Sequence, residues 1–149
     1  MQGLDTTPVH AHTALFGVYG LLALGLTLTV ARLMTSTRTW REGALRFSFW
    51  AMNIGLVLMV GISILPVGIA QAAASVQTGL WYARSADFLQ QPWLQTLRWL
   101  RIIGDLTFVA GVAAFAWFMA GLYFGWSHER QASKAYVPER VDADPVAVV

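Results

Sequence analysis

The chain has 149 residues, of which 56% are hydrophobic and only 12% are charged, and its net charge is +2. Soluble domains are about half apolar and about a quarter charged, so this composition excludes a disordered chain and points to an integral membrane protein. The absence of cysteine excludes disulfides, Cys-ligated zinc, iron–sulfur clusters, thiol catalysis and CxxCH haem attachment. No run of basic residues indicates a nucleic-acid partner.

Three long uncharged stretches predict the fold. They occupy Ala14–Ala31, Phe47–Ala74 and Leu106–Ser127. A helix needs about 20 such residues to cross the hydrocarbon core, so we predict transmembrane helices at about 8–34, 47–74 and 99–127. Small residues recur along the first two stretches, which favours close helix contacts. The predicted fold class is therefore an all-α integral membrane protein whose three helices form part of a larger bundle, followed by a polar, mobile tail at 128–149.

The distribution of arginines predicts the orientation in the membrane. The first loop and its border carry Arg32, Arg38, Arg41 and Arg46. The second loop carries Arg84 beside Asp87, and its aromatic residues are typical of a segment lying along the membrane surface. The positive-inside rule places the first loop in the cytoplasm, so we expect the N-terminus outside and the C-terminus in the cytoplasm.

Two histidines near the start of the first helix are the sharpest local feature. Residues two positions apart on an α-helix lie about 200° apart, so His10 and His12 point to opposite sides. This spacing is wrong for one shared zinc ion and right for two separate partners, and imidazole is a common ligand of haem iron. The alternative is a pair of solvated histidines at a helix end. His128 follows the third helix, about 30 Å away across the membrane, and cannot be an opposite axial ligand.

Two arginines near the third helix are the next candidates for binding. Arg98 and Arg101 lie one helical turn apart, and arginine pairs well with carboxylates such as haem propionates. The simpler alternative is that they anchor the helix at the interface. We expect Asp105 to stabilise the N-terminus of the same helix through its dipole.

Four polar residues within the predicted helices, Asn53, Ser63, Gln71 and Thr107, could hydrogen-bond between helices or line a polar path. We interpret them as hydrogen-bonding between helices. The sequence contains no Gly-rich phosphate loop, no nucleophile motif and no acid in the middle of a span. These absences argue against a self-sufficient enzyme or pump.

Several segments in a fixed order resemble one family. "TPVHAHTALFGVYGLLALGL" resembles the tenth helix of the catalytic subunit (subunit I) of the haem–copper oxidase superfamily, with the closest similarity to quinol-dependent nitric oxide reductases. "FWAMNIGLVLMVGISILPVGIAQ", "GLWYARSADFL" and "LQTLRWLRIIGD" resemble the rest of that C-terminal region. The resemblance covers about residues 3–126.

The resemblance implies specific roles. His10 matches the proximal ligand of the high-spin haem b3, His12 matches an axial ligand of the low-spin haem b, and Arg98 and Arg101 match the region near the haem propionates. The implied reaction joins two NO with two electrons and two protons to give nitrous oxide and water. The non-haem iron expected in the complete enzyme has its ligands on helices outside this sequence, so the chain alone is expected to be inactive.

The resemblance also implies partners and leaves alternatives open. The remaining helices must come from the N-terminal part of the same subunit or from a partner subunit, in a bacterial-type cytoplasmic membrane. Membrane lipid is a further partner, and quinol or a cytochrome is the electron donor. The alternatives are a fragment of an oxygen-reducing oxidase and a small non-catalytic subunit of a respiratory complex.

Overall fold

The computed structural model describes residues 3–35 and 39–129. Three long helices form the molecule: α1 at Thr6–Met34, α2 at Gly43–Gln77 and α5 at Pro92–Phe124. Two single-turn helices connect α2 to α5: α3 at Leu80–Ala83 and α4 at Ala86–Leu89. Each long helix is long and apolar enough to cross a membrane, so the predicted all-helical membrane fold is confirmed.

The third long helix begins earlier than the sequence predicts. It starts at Pro92 instead of near residue 99, because Gln91 is extended and proline suits the first turn of a helix. The helix ends at Phe124, where Gly125 takes a left-handed conformation with φ of 102°. Arg98, which precedes the predicted start of the helix, therefore lies inside α5 together with Arg101.

Two of the long helices contain wider, π-helical stretches. One lies at Met59–Ile64 in α2, directly before Pro66, and the other at His12–Gly20 in α1. Proline has no N–H to continue the α-helical ladder. The helix nevertheless continues through Pro66 to Gln77. The π-helical turns before the proline accommodate the backbone hydrogen bond that Pro66 cannot make.

The helices α2 and α5 are in close backbone contact, and this contact depends on glycines. A Cβ added to Gly55 would lie 2.5 Å from the backbone nitrogen of Phe108, and one added to Gly104 would lie 2.6 Å from that of Met59. Gly111 meets the backbone of Met52 at 2.8 Å in the same way. The prediction of close small-residue contacts therefore holds for Gly55.

An apolar cluster closes the end of the bundle at which α1 begins. Its buried members are Leu4, Val67, Ala74, Ala83, Phe88 and Leu94. They come from the segment before α1, from α2, from the two short helices and from the start of α5. We call this end of the bundle, which contains residues 3–12 and 67–105, the histidine end.

The opposite end, which contains residues 31–35, 39–46 and 121–129, is joined by backbone hydrogen bonds. The N–H of Arg41 donates to the carbonyl of Ser127 at 2.8 Å, and the N–H of Glu129 donates to that of Thr39 at 2.9 Å. The first loop and the segment after α5 therefore lie on the same side, as the topology predicts. From position 130 onward, the tail predicted to be mobile lies outside the described residues. Glu129, within the predicted tail, is held by its backbone hydrogen bond to Thr39.

The second half of α1 packs loosely. None of the residues at Leu21–Met34 is buried, and an open, apolar groove of about 380 Å³ separates this half from α2. Glu42 and Arg46 lie at its rim. A helix face this apolar, left uncovered, is consistent with a bundle that further helices complete.

Candidate functional site at the histidine end

The first helix presents its two histidines within two turns of its start. Asp5 is the N-cap residue, and its side chain makes no capping hydrogen bond. His10 lies in the α-helical turns and His12 begins the π-helical stretch. The sequence therefore places both imidazoles near the end of the bundle, as predicted.

The ring of His12 is held in one orientation. Its Nδ1 lies 2.8 Å from the carbonyl oxygen of Pro8. Because a carbonyl only accepts, Nδ1 carries a proton, so in the neutral imidazole Nε2 has the free lone pair. The ring also contacts Phe16, with centroids 5.7 Å apart, and is half-buried. An imidazole with one nitrogen bonded to a carbonyl and the other available is the arrangement that histidine metal ligands use.

The ring of His10 lies on the other side of the helix and is exposed. Within residues 3–35 and 39–129, no hydrogen bond or ion pair engages it. Two side chains that lie two positions apart, on opposite faces of the helix, suit two separate ligands and do not suit a single shared ion. In the described part of the chain, no group of three His, Cys, Asp or Glu side chains forms a metal site. Each histidine would therefore supply a single ligand.

The two arginines line an open cleft of about 630 Å³ between α5 and the start of α1. Asp5 and Pro8 line the same cleft, so the structure brings Arg98 and Arg101 beside the first turn of the histidine-bearing helix. Arg98 is exposed. The cleft therefore offers guanidinium groups to a carboxylate within reach of the α1 N-terminus.

Asp105 has a different role from the one that the sequence predicts. It lies well inside α5, and its carboxylate oxygen is 3.2 Å from Nε of Arg101. The prediction of a helix-dipole role is wrong because the helix starts at Pro92. Asp105 instead holds the Arg101 side chain on the cleft wall.

The polar residues inside the helices divide into two groups. The prediction of bonds between helices is wrong for Asn53 and Thr107, which bond to carbonyls one turn back in their own helices, at Phe49 and Ile103. Gln71 bonds to the backbone of Asp5, at the start of α1, and to that of Ala83 in α3, so the predicted role holds for this residue. The contact with Asp5 could not be predicted from the sequence, because the local pattern does not show which backbone atoms lie opposite Gln71.

The third histidine is remote from the other two. His128 pairs with Trp40 at the opposite end, and its Nε2 lies 3.2 Å from the carbonyl of Leu122. This position agrees with the prediction that His128 does not share a site with His10 and His12.

These features define a class: a multi-pass helical membrane protein with imidazole and guanidinium groups gathered at one end. Residues 1–107 match the family model of cytochrome c and quinol oxidase polypeptide I. The chain belongs to this family, and thus to the haem–copper oxidase superfamily, which implies haem cofactors. No curated protein matches the chain. The match includes His10, His12, Arg98 and Arg101, whereas the resemblance noted in the sequence extends further, to Trp126.

Proposed function

We propose that the chain is the C-terminal part of a nitric oxide reductase catalytic subunit and that it supplies one ligand to each of two haems. His10 would hold the iron of haem b3, and His12 would hold the iron of haem b. Bound haem iron supplies the redox chemistry by which two NO, two electrons and two protons become nitrous oxide and water. The residues of this chain hold and orient the haems.

The geometry of His12 is the observation that carries this proposal. Its Nδ1–H donates to Pro8, which fixes the ring orientation and makes Nε2 the nitrogen available to a metal in the neutral imidazole. His10, about 200° away around the helix, points to a second partner. A solvated pair at a helix end would need neither feature.

The cleft beside α1 supports the placing of haem propionates. Arg98 is exposed at its wall, and a propionate there would form a charge-assisted hydrogen bond. Arg101 already pairs with Asp105, so a second carboxylate would share that guanidinium. Arg98 is therefore the more readily available of the two.

The remaining helices of the bundle complete the proposed site. The other axial ligand of haem b and the ligands of the non-haem iron come from the N-terminal part of the subunit or from a partner. This assembly resides in a bacterial-type cytoplasmic membrane, with the histidine end outside and the opposite end in the cytoplasm. Quinol is the proposed electron donor, and the chain alone is inactive.

Oxygen reduction is the second candidate, because the matching family is described by cytochrome c and quinol oxidases. Consumption of NO and of O₂ by membranes containing the complete complex separates the two. Loss of NO consumption, but not of O₂ consumption, on deletion of this chain supports the first candidate, and the reverse supports the second.

The ligand roles are tested by His10→Ala and His12→Ala in the complete complex, with His128→Ala as the matched control. We expect each of the first two variants to lower the haem content per mole of chain, because each removes an iron ligand. His128→Ala removes an imidazole at the other end and should leave haem content unchanged. Unchanged haem in both His10→Ala and His12→Ala would refute the ligand roles.

A further inference from the structure

One buried amide connects α2 to the beginning of the histidine helix. Gln71 is 3% exposed. Its Oε1 accepts a hydrogen bond from the backbone N–H of Asp5 at 2.6 Å, and its Nε2 donates to the carbonyl of Ala83 at 3.2 Å. A buried amide is destabilising unless it is bonded. Both ends of this one are used, so its position is fixed.

A short series of hydrogen bonds leads from this amide to the ring of His12. Asp5 is the N-cap of α1, and its carbonyl accepts from the N–H of Val9 at 3.2 Å. The neighbouring carbonyl of Pro8 accepts from Nδ1 of His12 at 2.8 Å. The bond from Gln71 to Asp5 therefore fixes the turn whose carbonyl orients the imidazole.

The packing around this bond leaves α1 little freedom to shift. A Cβ on Gly68, one turn before Gln71, would lie 2.9 Å from the backbone nitrogen of Thr6. Leu4 is buried in the apolar cluster. Close backbone contact sets the distance between the two helices, and the directional bond that Asp5 donates to Gln71 sets the depth and rotation of the first turn of α1.

We propose that Gln71 is the positioning residue for the imidazoles of His10 and His12, acting through Asp5 and the first turn of α1. This inference rests on the proposed haem-ligand function. Gln71 does not contact the haems. It sets the rotation of α1, on which the directions of both rings depend, and a rotation of the helix moves the two ligands in opposite senses because they lie on opposite faces.

The test is Gln71→Met in the complete complex, purified with its haems. Methionine nearly matches the volume of glutamine and removes both hydrogen bonds. Gln77→Met is the control, because it makes the same change at an exposed position of the same helix. The readouts are low-temperature electron paramagnetic resonance and visible absorption, both expressed per mole of retained chain.

We expect Gln71→Met to weaken haem retention about 10-fold and to shift the low-spin signal, which is the scale seen when residues that orient metal ligands are changed. Gln77→Met should match the unaltered complex. Gln71→Glu should restore the signal, because a protonated carboxyl keeps an acceptor for Asp5 and a donor for Ala83.

The outcomes separate this inference from the proposed function. Where His10→Ala and His12→Ala remove haem but Gln71→Met leaves the spectrum per mole of chain unaltered, even with less chain recovered, the positioning role is wrong and the ligand roles stand. Where the histidine variants also keep their haem, the ligand roles themselves fail. An equal spectral change in Gln77→Met would likewise overturn the role of Gln71.

Discussion

The two ends of the bundle hold the first helix very differently. At the histidine end, Leu4 is buried and Gln71 bonds to Asp5. No residue of α1 itself is buried, and toward the opposite end Leu21–Met34 borders an open groove. The start of α1 is thus anchored beside its imidazoles by a buried hydrogen bond and an apolar cluster, whereas its second half is uncovered along the groove. Ligand placement at the histidine end therefore depends on contacts within this chain, while the uncovered half depends on helices that complete the bundle.

Side-specific labelling tests on which side of the membrane each end of the bundle lies, and it has the largest expected effect because its outcome is all or none. A cysteine at Arg41 should react with a membrane-impermeant thiol reagent only from the cytoplasmic side, and a cysteine at Ala86 only from outside. The chain has no native cysteine, so the background is clean. Labelling of both positions from one side would contradict the three-span topology, and a reversed pattern would invert the proposed orientation.

Glycine substitution in α2 should give the largest change in stability. Gly55→Val would force side-chain atoms against the backbone of Phe108, where even a Cβ would lie at 2.5 Å. Overpacking of this kind costs about 3 kcal/mol or more. Gly61→Val is the matched control, because a Cβ there meets nothing within 4 Å.

The stability of the two glycine variants is measured by the yield of folded complex and by the temperature of its thermal transition. A clear loss is expected for Gly55→Val alone. Equal losses of stability in both variants would show that α2 and α5 are not in close contact at Gly55.

Truncation of a leucine tests whether the start of α1 is held more firmly than its second half. Leu4→Ala removes a buried side chain from the apolar cluster and should destabilise the histidine end by about 2–3 kcal/mol. Leu22→Ala changes an exposed side chain in the loosely packed half and should have little effect in this chain. Amide hydrogen exchange at residues 5–9 should rise in the first variant only, and a similar rise in both would remove the distinction between the two halves.

The smallest effect is expected at the ion pairs. Asp105→Asn breaks the pair with Arg101, whose side chains are 40% and 39% exposed. Exposed pairs one helical turn apart contribute less than about 0.5 kcal/mol, so stability should barely change. Glu42→Gln, at the even more exposed pair with Arg46, serves as the control. A loss of several kcal/mol in Asp105→Asn would assign this pair a structural role that its exposure does not predict.

The membrane fold follows from composition because uncharged stretches of sufficient length have few other stable structures. The three spans and the shared side of the first loop and the end of α5 are therefore predictable. The start of α5 is not, since polar residues such as Arg98 resemble a loop in sequence yet lie within a helix that extends beyond its apolar part. The prediction for Asp105 failed for the same reason.

The candidate site was only partly predictable. The spacing of His10 and His12 gives their opposite directions from helix geometry alone. The hydrogen bond from His12 to Pro8 is local, four residues apart, and is compatible with the same geometry. The bond from Gln71 to Asp5 joins residues 66 positions apart, so it emerges only once the helices are packed.

The most direct test of the central claim is the electron paramagnetic resonance spectrum of the two single histidine variants in the complete complex. If His10 and His12 serve different haems, His12→Ala should remove the low-spin signal and keep the high-spin one, and His10→Ala should do the reverse. Loss of the same signal in both variants, or of neither, would contradict the assignment of one haem to each face of α1.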